Sequence, residues 1–594
     1  MTVKWKRKTQ DPPIATHVEK PARIGVFVCE CGCGVSSILD VEGLVESSKS
    51  LPGVIYAGHA PYWCSADGRE RLEATIRADG LERIVIAGCS PRTHKQLFQE
   101  TAAKAGLNPD LLGLINIREG CAWPHEGEHK AATLRANDQI AMEVAHMAAL
   151  APRSPVEAQI TPRALVIGGG VAGMTAAQEL ADSGMPVTLI ERASILGGRA
   201  VNTTSEVAAD LATVVQTHPS ITLHLDSLVT QITGSVGAYH VDITQPTSRC
   251  QGPASTEQHE PDHTQRTTCG TFGAIIVATG APDEETASLA QLLRLPQDTK
   301  GFLPETRVRL RPGNHVERGI HVCGSAHYPC DTAEAQFQAY SVASRALRHL
   351  RKGRVTAHGP VAEVAPEKCN GCGDCLNACP FAAVTMANRP SAPHRFTGLA
   401  EGWSPVKAEG LSLSIIDPLL CTGCGNCVSV CPVGAVTVAG WTDAQLEAQM
   451  HVALGQHSAQ ESLPRILIFA CEWSGYAASE LAGAQRLSYP PNVRLIRLDC
   501  SGRLQPGLIL KAFEMGAAGI LILGCAHKLC HYERGSERAA AAYEQVKALT
   551  ALLGLPPTRL QLAWTPPDDG PAFAELVTEF VRGVEKARAP ARSE

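Results

Sequence analysis

At 594 residues the chain is too long for a single hydrophobic core. With 44 % apolar and 19 % charged residues its composition is that of an ordinary globular protein. A net charge of −6 excludes the electrostatic footprint of a nucleic-acid or anionic-membrane binder. The basic opening MTVKWKRKTQDPP is followed by no apolar stretch, and no run approaches 18 apolar residues. Neither a signal peptide nor a membrane span is predicted, and a cytoplasmic protein is expected. There are 22 cysteines. In a reducing compartment, clustered thiols bind metal more often than they form disulfides.

The predicted fold class is α/β and multidomain. Residues 1–22 read as a disordered polar tail. From 23 to 150, short apolar runs alternate with helical patterns, giving an N-terminal α/β domain. Four of its segments end in thiols. Ile24–Val28 leads to Cys29, Cys31 and Cys33, and Val54–Tyr62 to Cys64. Ile84–Gly88 leads to Cys89, and Leu114–Gly120 to Cys121. Sites in open α/β sheets form at the carboxyl ends of strands. Cys31, Cys64, Cys89 and Cys121 are therefore the expected ligands of a [4Fe–4S] cluster, with Cys29 in reserve; buried core cysteines are the alternative.

A second α/β domain spans 163–352, with a polar excursion at Thr244–Thr271 that includes Cys250 and Cys269. The strand Ala164–Ile167 runs into Gly168-Gly-Gly170-Val171-Ala172-Gly173 and a helix. In this dinucleotide-binding pattern the first glycine makes the turn and the second admits the pyrophosphate. The third lets helix pack on strand. The next strand ends in Glu191, placed to bond ribose hydroxyls, and Arg192.

Residues 361–440 hold Cys369-x2-Cys372-x2-Cys375-x3-Cys379-Pro and Cys421-x2-Cys424-x2-Cys427-x3-Cys431-Pro. This spacing wraps three thiolates round one cube and sends the fourth to its neighbour. One [4Fe–4S] cluster takes Cys369, Cys372, Cys375 and Cys431. The other takes Cys379, Cys421, Cys424 and Cys427. Zinc needs only four ligands and no paired Cys-Pro ending. The last α/β domain, 463–594, repeats the logic of the first: Ile466–Ala470 ends at Cys471, Val493–Asp499 at Cys500, and Ile520–Gly524 at Cys525, with Cys530 following. Four thiols suit a [2Fe–2S] cluster, with zinc as the alternative and His527 and His531 as further possible ligands. Cys323 and Cys330 read as packing. No catalytic nucleophile–base pair is evident.

Several motifs resemble those of glutathione-reductase-like flavoproteins. They are the glycine loop Leu196-Gly-Gly198-Arg199, the strand ending in Ala278-Thr279-Gly280, and Gly319-Ile-His-Val-Cys-Gly324-Ser325. The resemblance implies FAD held at Gly168, Gly170, Val171, Ala172, Gly173, Glu191, Arg192, Gly198, Arg199, Thr279, Gly280, Gly324 and Ser325, with Ser325 where an Asp is usual. Only Ala281–Arg318 lies where those flavoproteins carry a nicotinamide domain. Electrons are therefore expected to come and go through clusters or protein partners.

More widely, residues 23–440 resemble the heterodisulfide reductase A subunit. The likeness rests on Cys29-Glu-Cys31-Gly, Gly-Cys89-Ser-Pro-Arg-Thr-His94, Cys121-Ala-Trp123 and the cofactor motifs. Residues 463–594 resemble the delta subunit of methyl-viologen-reducing hydrogenase through Cys471-Glu-Trp473, Cys500-Ser-Gly-Arg503 and Cys525…Cys530-His-Tyr532. The resemblance implies an electron-transferring subunit of a hetero-oligomeric complex. Its donor would be of hydrogenase or formate dehydrogenase type and its acceptor of disulfide or ferredoxin type, with electron bifurcation in some relatives. The compact form is also similar to flavoprotein subunits of quinone-interacting and sulfur-oxidising complexes. The C-terminal domain, set off by a polar linker, is expected to dock semi-independently.

Overall fold

The structure is a computed structural model that describes residues 22–151, 156–203, 206–245, 266–293, 295, 297–303, 319–357, 360–388, 412–455, 464–526 and 529–588. The expected tail (all but Ala22), Cys250 and His527 lie outside these residues. The chain divides into two compact units, Met1–Arg153 with Cys424–Glu594, and Ser154–Gly423. No described helix is long and apolar enough to cross a membrane.

The first unit contains two parallel four-stranded sheets of identical strand order. In one, Ile24–Cys29 lies between Val54–Ala60 and Arg83–Gly88, with Leu112–Asn116 outermost. In the other, Ile466–Cys471 lies between Val493–Leu498 and Gly519–Gly524, with Leu560–Trp564 outermost. Both central strands, IGVFVC and ILIFAC, are buried throughout. Such unbroken apolar runs belong to parallel strands covered on both faces. Helices start at side-chain caps: the Ser65 hydroxyl accepts from Gly68 N at 3.1 Å to open Ala66–Ala78, and Ser90 caps Pro91–Lys104.

The predicted strand Leu114–Gly120 is instead Leu112–Asn116, followed by a single π turn over Arg118–Ala122. Asn116 explains the early end, because its Oδ1 accepts from the Glu119 N–H at 2.9 Å and closes the turn.

The expectation of a semi-independent C-terminal domain is corrected by how it joins the N-terminal one. Asp138, on the helix His129–Ala148, is 1 % exposed and is paired at 2.5 Å with both Arg465 and Arg494. Asn116 Nδ2 donates to Glu480 at 2.9 Å. Arg135 donates to the carbonyls of Gly120 and Val493. These buried ion pairs and hydrogen bonds join the two sheets in one packed body.

In the second unit five parallel strands run in the order Ile320–Val322, Ala274–Val277, Ala164–Ile167, Val187–Ile190, Ile221–His224. The helix Val171–Asp182 packs on Thr332–Arg351. Its start at Val171 is open to close packing because Gly173 carries no side chain: a Cβ there would stand 1.8 Å from the Gly168 carbonyl oxygen. The ends of the polar excursion are not irregular. Ala238–Gln245 pairs antiparallel with Arg266–Phe272, which carries the exposed Cys269.

Candidate functional site

In the N-terminal sheet three thiols meet. The Cys31 sulfur adjoins those of Cys29 and Cys89, and Cys64 stands within electrostatic reach of both Cys29 and Cys89. Cys31 is folded back by a left-handed backbone (φ 47°), followed by Gly32 at φ 58°. The Cys31 thiol donates to Cys29, whose pKa falls to about 6, and it likewise lowers Cys89, while Cys31 itself is pushed up. Arg118, held over the Trp123 ring at 4.8 Å, adds positive charge that favours the thiolates of Cys29, Cys64 and Cys89.

Cys121 stands apart from this group. Its thiol is fully buried, which raises its pKa, and the charges acting on it are Arg135, Arg494 and Asp138. Sheet order gives the reason. Cys64 follows one edge strand and Cys121 the opposite edge strand, three strand spacings or about 14 Å apart. The Cys29 sulfur, not that of Cys121, adjoins Cys31. Cys33 is exposed.

In the C-terminal sheet all four expected thiols converge. Cys471 and Cys525 sulfurs are 3.8 Å apart, and Cys530 adjoins both Cys525 and Cys500. Gly535 is required beside them, because a Cβ there would meet Cys500 Sγ at 2.1 Å and Cys530 Sγ at 3.3 Å. Donation from Cys500 and then Cys525 lowers the Cys530 pKa to about 2, while Cys500 and Cys525 are raised. The His531 ring stacks on Trp473 at 3.7 Å between centroids and 11° between planes, while its backbone N–H donates to Cys525. Among the described residues no group of three His, Cys, Asp or Glu is arranged to hold a single metal ion.

The two ferredoxin-type loops repeat one backbone shape. Gly371 and Gly373 (φ 73° and 80°) match Gly423 and Gly425 (φ 69° and 77°). Backbone amides reach their sulfurs: Ala362 N donates to Cys421 at 3.3 Å and Ala435 N to Cys431 at 3.2 Å. Cys375 Sγ lies 3.1 Å from Ser414 Oγ. Polar contacts of this kind to sulfur suit thiolates that bind iron.

The second of these loops lies against the C-terminal thiols. Cys424 is among the groups acting on Cys500, Gly425 has no room for a side chain because of Arg503, and Gly502 has none because of Asn426. Arg503 fixes this contact by donating to the Trp441 carbonyl at 2.8 Å and to Asp443 at 2.6 Å.

At the nucleotide loop, a Cβ on Gly170 would meet nothing within 4 Å, so space lies open over the loop. The helix Val171–Asp182 starts there without a side-chain cap, leaving its first N–H groups for an anion. Glu191 is held against this loop, accepting from Gly169 N at 2.6 Å and Ala193 N at 2.8 Å. Gly280 (φ 85°) also faces open space, and Gly324 donates its N–H to Gln338 at 2.9 Å. Ser325 Oγ lies 3.7 Å from Cys330 Sγ. Arg192 is engaged elsewhere, by Asp283 and Glu285 at 2.7 and 2.6 Å, and Arg199 is exposed. An open glycine loop, an uncapped helix start and an acid at the second strand fit an adenine dinucleotide.

Family models match three stretches: a pyridine nucleotide-disulphide oxidoreductase at 162–338, a 4Fe-4S dicluster domain at 368–435, and the delta subunit of methyl-viologen-reducing hydrogenase at 466–587. The A subunit of the ferredoxin:CoB-CoM heterodisulfide reductase of Methanosarcina mazei is 28 % identical over 779 aligned positions, covering 95 % of this chain and 97 % of that protein. The chain is an oxidoreductase that is similar, along nearly its whole length, to a heterodisulfide reductase A subunit. It uses FAD and iron–sulfur clusters and carries a hydrogenase delta-subunit domain. Since the aligned positions outnumber its 594 residues, the M. mazei protein holds sequence without a counterpart here. One of the iron-sulfur A subunits of CoB–CoM heterodisulfide reductase in Methanopyrus kandleri is 36 % identical over 234 residues, 38 % of this chain and 36 % of that one. A thioredoxin reductase from Lactococcus lactis, 13 % identical with a TM-score of 0.21, covers 32 % of this chain and 100 % of its own. That likeness is too slight to bear on function.

Two residues that matter are missed by the sequence patterns above. Arg118 lies within the stretch Asn116-Ile-Arg118-Glu-Gly-Cys121-Ala-Trp123, whose resemblance gives it no role of its own. Asn426 does give a signal: it occupies the place that Asp374 holds in the first ferredoxin loop.

Proposed function

We propose that the chain is the flavin-bearing electron-transfer subunit of a heterodisulfide-reductase-like complex. In this reading its C-terminal cluster exchanges electrons directly with the second ferredoxin cluster. The M. mazei relative's name supports a disulfide or ferredoxin acceptor, and the delta-subunit domain supports a hydrogenase or formate dehydrogenase donor. Neither favours the quinone-interacting or sulfur-oxidising alternative. Cys471, Cys500, Cys525 and Cys530 hold a [2Fe–2S] cluster. Cys29, Cys31, Cys64 and Cys89, rather than the set that includes Cys121, hold a [4Fe–4S] cluster. Bound FAD would convert electron pairs into single electrons; the chain supplies the glycine loop that seats it and the clusters that feed and drain it.

The observation that carries this reading is the contact of the Cys424–Cys427 loop with the Cys500–Arg503 turn. It supports a route in which electrons pass between the C-terminal domain and FAD by way of a ferredoxin cluster, in either direction. The test uses the native complex, with H2 and formate supplied in turn. One of them should reduce the flavin in the wild type and fail to do so in Cys525→Ala, while dithionite still reduces both. Undiminished flavin reduction by H2 or formate in the variant would place entry elsewhere.

A further inference from the structure

Asn426 is wholly buried, and neither its Oδ1 nor its Nδ2 has a hydrogen-bond partner. Leaving both ends of a buried carboxamide unmet is costly, because neither regains the hydrogen bonds it made to water. Such a group calls for a missing partner. Its surroundings say which one. The Asn426 carboxamide ends beside Gly502 and Gly535: a Cβ on Gly502 would be 2.2 Å from Oδ1, and one on Gly535 would be 3.8 Å from it. That same position on Gly535 is 2.1 Å from Cys500 Sγ and 3.3 Å from Cys530 Sγ. The amide therefore borders the same side-chain-free glycine, Gly535, that borders the Cys500 and Cys530 thiols. A half-turn of the carboxamide exchanges Oδ1 for Nδ2 with no change of shape. Its counterpart in the first ferredoxin loop, Asp374, is exposed, as a carboxylate should be. A carboxylate at 426 would set a buried negative charge against thiolates. An amide offers them an N–H.

We propose that Asn426 is a positioning residue for the C-terminal cluster, donating its Nδ2–H to the sulfur of that cluster's Cys500–Cys530 side and thereby raising its reduction potential. A ferredoxin loop thus sets the potential of the cluster with which it exchanges electrons. The inference rests on the C-terminal cysteines holding a cluster. Hydrogen bonds to sulfur stabilise the extra electron of the reduced form, so removing one lowers the potential.

The test is a redox titration of the full chain followed by electron paramagnetic resonance, on wild type, Asn426→Ala, Asn426→Asp and Asn426→Ser. Cys525→Ala identifies which signal belongs to the C-terminal cluster. Asn426→Ala should make reduction of that cluster about tenfold less favourable, 59 mV for one electron. Asn426→Asp should lower the potential further, and Asn426→Ser, which keeps a donor, should lie between Asn426→Ala and wild type. An unchanged potential in Asn426→Ala and Asn426→Asp overturns the proposal. So does loss of the cluster from Asn426→Ser as well as Asn426→Ala, because the side chain would then serve packing alone. Absence of any Cys525-dependent signal in the wild type would instead sink the underlying assignment of a cluster to these cysteines.

Discussion

The N-terminal and C-terminal sheets are the same device built twice, and the difference between them shows where thiols can gather. Each has four parallel strands in the order second, first, third, fourth. Each draws its group of sulfurs from the ends of the first three. In the C-terminal sheet the fourth strand, Leu560–Trp564, ends without a cysteine, so nothing competes. In the N-terminal sheet the fourth segment does bring a cysteine, Cys121, and geometry leaves it out. The outermost strand is too far from the second, and the π turn at Arg118–Ala122 buries its thiol beside Arg135. Strand-end chemistry is thus a rule about neighbouring strands rather than about every strand of a sheet.

The contrast between the sheets is tested hardest by removing one thiol from each side of the disputed choice. Cys29→Ser should lose about four irons per chain, the content of one [4Fe–4S] cluster, while Cys121→Ser should lose none. Iron analysis giving the opposite pattern would restore the fourth strand as a ligand source. At the flavin site, Gly170→Leu should abolish FAD binding by filling the open space above the loop, as read from bound flavin absorbance; full flavin retention would mean the dinucleotide lies elsewhere. Asp138→Ala strands two arginines between the sheets and should cost about 3–5 kcal/mol of unfolding free energy. A loss below about 1 kcal/mol, the worth of an exposed pair, would show that the two sheets are held together by other contacts. The smallest effect is expected from Glu191→Ala, which removes a carboxylate already shared with Gly169 and Ala193. Flavin affinity should fall by about 1.5–3 kcal/mol, the worth of a charge-assisted hydrogen bond, and titration showing no change would remove Glu191 from the ribose site.

The two sheets also mark what the sequence discloses. Apolar runs closed by cysteines identify the strands, and the doubled C-x2-C-x2-C-x3-C-P spacing identifies the ferredoxin loops without help from structure. Strand order is not written in those runs, so they do not decide between Cys29 and Cys121. The docking of the two outer domains is hidden for a similar reason. Arg465 and Arg494 lie 327 and 356 positions from Asp138 in sequence, and nothing local to Asp138 marks it as buried. Arg192, which the flavoprotein resemblance implies for the nucleotide site, is paired with Asp283 and Glu285.

Everything proposed for electron flow depends on the C-terminal cluster and the second ferredoxin cluster being immediate neighbours. Two reduced clusters on adjoining loops couple their spins, so electron paramagnetic resonance of the fully reduced chain reads their proximity. A split or broadened [2Fe–2S] signal is expected, with a ferredoxin signal that sharpens when Cys525→Ala removes its neighbour. A [2Fe–2S] signal with the narrow line shape of an isolated cluster, and a ferredoxin signal indifferent to Cys525→Ala, would contradict that neighbourhood.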